Sequence, residues 1–425
     1  MRSVIIMLAL IGAFATAMLA ASISSAAEIT LTESRLVDIA IAANPQVRAA
    51  RARWDAAVHS IAQTVAPNDP IFAFTNGDSP NHPFSGNTFQ TFTVTETFQF
   101  PGKALFQRDI AIRNAEMAHL ALAATIRDLR AGVESGYFQL LLDHAVYGIN
   151  AENVANLEQV LKVTQVAYSA SKVTQTDFIS AEIDLAVARQ GGRQYRAAIA
   201  NDETMLNQLM YRPQGSPLPV DETIRLEPLR VPLQELIDRA IHSRQEILQA
   251  ALAERNSDTA IKLAKMEYLP DFSAAYIFDH YLLRSAAPSP NFTQDHGFLI
   301  GANLPVFFWM KQNEDVTRAR SNLEAARNDF KSIESQTAAA VTSLYRSAQL
   351  GYETAILFRD SLTPLARQNF QVALTAYESG KIDFVTLASA LRRSYDARAS
   401  YLQSTNQFLA GQVSLEQAIG SPLPQ

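Results

Sequence analysis

The feature of this sequence that most constrains its fold is an internal duplication with a spacing of about 200 residues. The hexapeptide LVDIAI at residues 36–41 is matched by LIDRAI at residues 236–241. The spacing grows to 208, which matches Lys103 with Lys311 and Tyr137 with Tyr345. It then becomes 209, and the last matched pairs are Tyr168 and Tyr377, Lys172 and Lys381, and Leu206 and Leu415. Because the copies of a duplication share one plan, we expect a first repeat at residues 28–213, a Pro-rich linker at residues 214–230 and a second repeat at residues 231–425.

The hydrophobic period changes twice within each repeat. Each repeat opens with apolar residues at helical spacing, after Thr32 as a candidate N-cap in the first. Two strand-like runs follow, in which apolar and polar residues alternate. In the first repeat the apolar side has Phe92, Val94, Phe98 and Phe100, opposite Thr91, Thr93, Thr95, Thr97 and Gln99, and in the second it has Phe298, Ile300, Leu304 and Val306.

A very long helical pattern begins after these strands. It continues for about 65 residues beyond Lys103 and beyond Lys311, whereas globular helices usually have about 8 to 20 residues. Apolar residues in it step by three and four, as in a coiled-coil seam. A short turn and a return helix of about 35 to 40 residues follow in each repeat. Each repeat is thus predicted as a short helix, two strands, a very long helix, a tight turn and a long helix.

The strand pattern predicts a membrane β-barrel that one chain cannot complete. Open sheet edges are not stable in hydrocarbon. Bacterial barrels start at about eight strands, whereas this chain supplies four candidates, so three chains would supply twelve. We expect a mainly α-helical fold with a membrane β-barrel shared by several copies; the alternative is a soluble α+β protein with a coiled-coil stalk. Glu96 interrupts the apolar side of its strand, which predicts that this end lies at or below the membrane boundary rather than in lipid.

The first residues have the pattern of an export signal. Arg2 precedes an uncharged apolar stretch, and Ser25-Ala26-Ala27 fits the small-residue rule for cleavage. We expect residues 1–27 to be a cleaved signal peptide, with an uncleaved anchor of about 20 apolar residues as the alternative. The sequence has no cysteine, which excludes a lipoprotein anchor, disulfides and thiolate metal sites.

Composition narrows the classes of function. The chain has a formal net charge of -6 and no run of Lys or Arg, which argues against a nucleic-acid partner because phosphate binding needs a basic patch. The sequence has no nucleophile elbow, phosphate loop or HExxH motif. The protein is therefore predicted to be non-enzymatic and to have no cofactor.

Five short motifs carry a family resemblance that spans essentially the whole mature chain. They are LVDIAIAANP at residues 36–45, FQFPGK at 98–103, LPVFFWMKQ at 304–312, AYESGKIDF at 376–384 and LEQAIGSPLP at 415–424. In this order, within a duplicated chain, they resemble the outer-membrane efflux protein family, the TolC-like channels, and especially the branch that serves heavy-metal and cation efflux.

The resemblance implies a homotrimer in the cell outer membrane. Its twelve strands would form one barrel in outer-membrane lipid, and its long helices would continue as an α-helical tunnel in the periplasm. The implied partners are a periplasmic adaptor (membrane fusion) protein and an inner-membrane pump of the resistance-nodulation-division class, whose proton-driven transport supplies the energy.

The resemblance also places the turn between the long helices of each repeat at the periplasmic tip, where the tunnel opens and the adaptor docks. The implied tip residues are Tyr168, Ser171 and Lys172 in the first repeat and Tyr377, Gly380 and Lys381 in the second. Gly380 can take a positive φ at a helix end, whereas Ser171 lacks that freedom, so we expect the two turns to differ. For both tyrosines, ordinary helix packing is an equally good interpretation.

The acidic gate of some relatives is only partly present. Those relatives carry aspartates nine and twelve residues after the tip tyrosine, and the resulting ring attracts cations. The corresponding residues here are Asp177 and Ser180 in the first repeat and Thr386 and Ser389 in the second. Asp177 is the candidate for a single ring. We interpret Asp383, in the second turn, as a helix cap in preference to a further ring.

Two Asp-His pairs and one further histidine suggest a metal site, but their spacing does not support one. Asp279-His280 and Asp295-His296 fall at predicted strand ends or loops, and His82 lies in an NHP turn. None has the spacing of a defined metal site. We interpret them as solvated loop residues and predict no metal ligand.

The leading functional hypothesis is the outer-membrane channel of a tripartite efflux system, a passive exit duct for metal cations or small toxic compounds. The channel of a type I protein-secretion system is an alternative within transport. A periplasmic coiled-coil scaffold without a pore is the alternative from a different class.

Overall fold

The computed structural model describes residues 32–78, 88–219, 226–283 and 291–424. The predicted signal peptide, residues 1–27, lies outside them. Among the helices in these ranges, none combines the length and apolarity needed to cross a membrane.

Both repeats have the predicted order of elements. The first contains α1 (Glu33–Ala43), α2 (Pro45–Val65), β1 (Ile71–Asp78), β2 (Thr88–Phe98), α3 (Lys103–Ser169) and α4 (Gln175–Leu209). The second contains α5 (Leu233–Ser243), α6 (Gln245–Met266), β3 (Phe272–Leu283), β4 (Asn291–Ala302), α7 (Gln312–Leu357), a π-helical turn (Phe358–Leu362), α8 (Thr363–Glu378) and α9 (Phe384–Ile419).

The long helices have the predicted lengths, with one interruption. α3 has 67 residues, and the return helices α4 and α9 have 35 and 36. In the second repeat, however, α7 ends after 46 residues, and a π-helical turn of five residues separates it from α8. Pro364, the second residue of α8, explains the interruption, since it has no N–H for the regular hydrogen-bond ladder. The first repeat has Ala155 at the matching position, and its helix is unbroken.

The opening helical segment of each repeat is two helices rather than the single one predicted. α1 ends before Asn44, whose extended backbone is typical of a residue that precedes proline. Its side-chain amide donates to the Leu209 carbonyl, at the end of α4, at 2.9 Å. In the second repeat, Arg244 separates α5 from α6 and has the same extended backbone, although no proline follows it. The neighbouring Ser243 Oγ donates to the Ile419 carbonyl at the end of α9, at 2.9 Å. Each break therefore supplies a hydrogen bond to the end of its repeat's return helix.

The strands form one antiparallel sheet in the order β1-β2-β3-β4, and its alternating faces confirm the period-two pattern. The exposed large apolar residues of one face are Phe72, Phe74, Val94, Phe98, Phe272, Tyr276, Phe298 and Ile300. The prediction that Leu304 and Val306 continue the last strand is wrong, because β4 ends at Ala302. In the described residues β1 and β4 each pair with one strand only, so both edges of the sheet are open.

The chain forms two compact units, and each contains segments of both repeats. Over the described residues, the helical unit consists of residues 32–44, 129–219, 226–230 and 345–414, and the sheet unit consists of residues 45–78, 88–128, 231–283, 291–344 and 415–424. A buried cluster in the helical unit joins α3, α4, α8 and α9 through Leu157, Val160, Leu185, Phe370, Tyr377, Phe384, Leu387 and Leu391.

Within the sheet unit, a buried lysine holds together the ends of three strands. Lys103, the first residue of α3, is 2% exposed, and its Nζ lies 2.9 Å from Asp271 Oδ1 and 3.3 Å from Glu267 Oε2. The same Asp271 oxygen accepts the Phe100 N–H at 2.7 Å. The Asp271 N–H donates to Asn303 Oδ1 at 2.5 Å, and the Asn303 N–H donates to the Asp271 carbonyl at 3.1 Å. Asp271 therefore connects the end of β2, the start of β3 and the end of β4.

We expect Lys103→Met to lower the free energy of unfolding by about 3 kcal/mol, because it leaves a mostly buried carboxylate without its cation. The matched control is Lys311→Met, since Lys311 occupies the same position in the second repeat but is exposed, and its effect should stay within about 0.5 kcal/mol. The urea midpoint of the helical circular dichroism signal measures both. Equal losses for the two variants would contradict the role given to Lys103.

Candidate functional site at the helix turns

The two turns between the long helices have the same backbone conformation. Ser171 has a φ of 55° and Gly380 a φ of 73°, both in the left-handed region. The N–H of Lys172 and that of Lys381 each donate to a carbonyl five residues earlier, at 2.9 Å, which is the long bond of a Schellman helix end. The prediction that the two turns differ is therefore wrong for the backbone, because these hydrogen bonds hold a serine in a conformation that normally favours glycine.

Both return helices begin with a side-chain cap. Thr174 Oγ1 accepts the Asp177 N–H at 3.2 Å, and Asp177 Oδ2 accepts the Thr174 N–H at 3.0 Å, which is a capping box. Asp383 Oδ1 accepts the Thr386 N–H at 2.9 Å, so the interpretation of Asp383 as a cap is confirmed. Hydrogen bonds from the Thr386 side chain and backbone lower the pKa of Asp383. The acidic ring at Asp177 stays a prediction.

The two tip tyrosines have different surroundings. Tyr377 is 6% exposed, and its hydroxyl lies 3.2 Å from Thr164 Oγ1, which is fully buried. Because the Thr164 hydroxyl donates its proton to the Val160 carbonyl at 2.9 Å, Tyr377 is the donor to Thr164. Tyr168, by contrast, is 42% exposed and stacks on Phe178 with a centroid distance of 5.9 Å. Of the two tip tyrosines, Tyr377 is thus the one that makes a buried polar contact, which joins α8 to α3. Sequence reasoning missed its partner Thr164.

A cavity of about 820 Å³ lies next to the turns, lined by α3, α4 and α9 of the helical unit. It brings together Asp177 and Ser180 from the first repeat with Ser389 from the second. These are three of the four positions that correspond to the acidic gate of some relatives. The fold therefore places candidate gate residues from both repeats around one space.

Sequence reasoning missed two opposite charges that line the same cavity, Asp184 on α4 and Arg392 on α9. Burial raises the pKa of Asp184, and the charge of Arg392 opposes that shift. The hydroxyls of Tyr195 and Tyr395 meet 3.0 Å apart on these two helices. Burial, together with the hydrogen bond to Tyr195, raises the pKa of Tyr395. Asp184 lies seven residues, or about two helical turns, after Asp177 and therefore on the same face of α4. That spacing was a sequence signal that could have identified Asp184 as a residue of this site.

The two Asp-His pairs lie within strands rather than in loops, which corrects their predicted location. Asp279 on β3 faces Asp295 on β4 across the sheet, and the Thr91 hydroxyl donates to the Asp279 carboxylate. His296 Nδ1 lies 2.6 Å from the Tyr276 hydroxyl. His82 lies outside the described residues. The structure, over the ranges it describes, shows no group of three or more His, Cys, Asp or Glu side chains that could hold a metal ion.

We expect Ser171→Gly to stabilise the protein by about 1 kcal/mol, because glycine takes a positive φ without the steric cost that serine meets. Gly380→Ser is the matched reverse change, and it should destabilise by a similar amount. A Cβ on Gly380 would meet no atom within 4 Å, so the cost comes from the backbone alone. Shifts of the thermal unfolding midpoint measure both effects. A loss of stability in Ser171→Gly would show that the serine side chain makes a needed contact.

Comparisons with known proteins agree with this architecture. The sequence profile of the family described as outer membrane efflux protein matches residues 36–210 and 236–421. No curated protein matches the chain in sequence.

Several solved structures share the fold. The chain is similar to the outer-membrane channel OprN, with a TM-score of 0.77 and 17% identity over 92% of this chain and 90% of that chain. It is also similar to the outer membrane protein VceC from Vibrio cholerae, with a TM-score of 0.77 and 14% identity over 92% of this chain and 97% of that chain. The open state of the MtrE outer membrane channel from Neisseria gonorrhoeae has a TM-score of 0.75 and 16% identity, over 94% of each chain. Since the family profile matches both repeats and most of the sequence, this chain belongs to the outer membrane efflux protein family, the TolC-like channels.

Proposed function

We propose that this protein is the outer-membrane channel of a tripartite efflux system. It is a passive exit duct for metal cations or small toxic compounds, which a proton-driven inner-membrane pump delivers through a periplasmic adaptor. One observation carries the proposal: a chain whose two repeats both match the efflux-protein profile forms an open-edged sheet with an exposed apolar face.

The open sheet edges support a homotrimer. β2, β3 and β4 have 11, 12 and 12 residues, which suits tilted strands that cross a bilayer with about 9 to 11 residues. Pairing β4 of one copy with β1 of the next supplies hydrogen bonds that hydrocarbon cannot. Three copies give twelve strands, within the range of about 8 to 26 seen in bacterial barrels. The apolar face then meets outer-membrane lipid, and the Thr-rich face lines the lumen.

The helix turns are the proposed periplasmic tip. Ser171, Lys172, Gly380 and Lys381 are all exposed, so they are accessible to the hairpin of an adaptor. The buried hydrogen bond from Tyr377 to Thr164 is the proposed latch, because it joins helices of the two repeats near the turns. One similar structure is described as the open state of its channel, and we propose that opening of the present channel moves this tip.

Purified protein reconstituted into planar lipid bilayers should give large, stable conductance steps, and Tyr377→Phe should raise the open fraction. On the proposal that the described conformation is the closed one, removing its Tyr377–Thr164 hydrogen bond costs that state about 1 kcal/mol, or about fivefold in the opening equilibrium. Tyr168→Phe is the matched control, since the Tyr168 ring is exposed and stacked. Silence from folded, membrane-inserted protein would refute the channel and favour the pore-free scaffold. Equal open fractions in the two variants would refute only the latch.

Asp177→Asn should reduce the cation selectivity of the open channel. A ring of carboxylates attracts cations, whereas an asparagine keeps an oxygen that can accept the Thr174 N–H. Asp383→Asn is the matched control because Asp383 also caps a return helix. The reversal potential in a salt gradient is the measurement. A potential that Asp177→Asn leaves unchanged would remove Asp177 from the gate.

A further inference from the structure

The cavity next to the helix turns contains a positive charge among acidic and neutral groups. Its charged lining residues are Asp177 and Asp184 on α4 and Arg392 on α9. Ser389 also lines the cavity, and it lies three residues before Arg392, which places both on one face of α9. Among the described residues that line this space, Arg392 is the one cation. The cavity is therefore less acidic than its two aspartates alone would make it.

The two repeats differ at the position of Arg392. At the spacing of 209 residues, Arg392 is matched by Ile183, and the next residue, Arg393, is matched by Asp184. Both arginines are exposed, but Arg392 lines the cavity whereas Arg393 does not. Since the first repeat forms the same return helix with an isoleucine at this position, the shared fold does not require Arg392. Its charge therefore needs an explanation outside the shared fold.

The charge of Arg392 is directed at the cavity and is not neutralised by a salt bridge. Its electrostatic effect on Asp184 opposes the rise in the pKa of that carboxyl group that burial causes. Yet Arg392 and Asp184 do not form an ion pair with each other or with any other described residue. The ion pairs of α4 and α9 in the described chain are Arg189 with Glu158 and Arg398 with Glu152. Arg392 thus adds a positive potential to the cavity.

The two acids of the cavity are weakened as ligands for a divalent cation. Asp177 Oδ2 accepts the Thr174 N–H at 3.0 Å and the Thr174 hydroxyl at 2.8 Å. Asp184 is under the influence of the Arg392 charge. Because hard divalent cations bind through carboxylate oxygens that are free to coordinate, both acids attract such a cation less strongly than free carboxylates would.

The remaining lining of the cavity suits an organic compound. The volume of about 820 Å³ lies within the range of about 300 to 1,000 Å³ that is usual for small-molecule sites. Apolar side chains line it together with neutral polar ones. The apolar residues include Leu157, Val160, Val187, Phe384 and Leu391, and the neutral polar residues include Asn150, Asn153, Gln190, Gln194, Tyr195 and Tyr395.

We propose, on the basis of the channel function above, that Arg392 is a specificity-determining residue that disfavours divalent metal cations in this cavity. Because the cavity lies next to the turns of the proposed tip, cargo that enters there meets the charge of Arg392. A divalent cation about 8 Å from a unit positive charge is disfavoured about fivefold at the dielectric constant of water. Of the two classes of cargo proposed above, the cavity then suits small organic compounds.

Block of the reconstituted channel by Mg²⁺ tests this role. Full-length protein is placed in planar lipid bilayers at low ionic strength, and MgCl₂ is added to each side in turn. Arg392→Gln removes the charge, whereas Arg392→Lys keeps it. Arg393→Gln is the matched control, because Arg393 is the neighbouring exposed arginine outside the cavity. Circular dichroism shows whether each variant is folded, and the Mg²⁺ concentration that halves the current is the measurement.

Arg392→Gln should lower the half-blocking Mg²⁺ concentration about fivefold, whereas Arg392→Lys and Arg393→Gln should leave it within about twofold of the unmodified protein. The difference should shrink in 1 M KCl, where the Debye length is about 3 Å.

Three other outcomes would overturn the proposal. Equal half-blocking concentrations in Arg392→Gln and Arg393→Gln would mean that the position in the cavity has no effect. An Arg392→Lys channel that behaves like Arg392→Gln would show that the size of the side chain, and not its charge, is responsible. Silence from folded, membrane-inserted protein would contradict the channel function itself, and the role of Arg392 with it.

Discussion

The ion pair between Lys103 and Asp271 is the contact on which the sheet unit depends. A lysine at the first position of a helix is opposed by the helix dipole, whose positive end lies there. Asp271 and Glu267 provide the negative charge that makes this position tolerable. Because the Asp271 carboxylate also binds the Phe100 N–H, the first turn of α3 and the strand ends are held by one group.

The two repeats share a backbone plan but differ in the chemistry placed on it. The helix turns have the same conformation although one has serine and the other glycine. Their tyrosines differ, since Tyr377 is buried and bonded while Tyr168 is exposed. In a trimer, six similar hairpins would thus form two alternating kinds. The strand-to-helix connection is a third difference, because nine residues separate β4 from α7 whereas four separate β2 from α3.

Much of the fold could be predicted from local pattern, and the failures have identifiable causes. The 67 residues of α3 and the apolar face of the sheet follow from periods of 3.6 and 2. The interruption near Pro364 has a local signal, a proline within a helical run. The conformation of Ser171 was predicted wrongly, because residue preference is worth only about 1 kcal/mol and the hydrogen bonds of the helix end outweigh it. Asp383 was placed correctly as a cap since its partner is three residues away.

By itself, the sequence determined the duplication, the order of helical and strand segments in each repeat, the length of α3, and the family to which the chain belongs. These properties are written in spacings of a few residues, or in comparison of one repeat with the other. Only the tertiary structure decided that Lys103 is buried while Lys311 is exposed, and that Thr164 is the partner of Tyr377. The partners in these contacts are 168 and 213 residues apart in the chain. No local period carries that information, because it arises when separate helices and strands pack against each other.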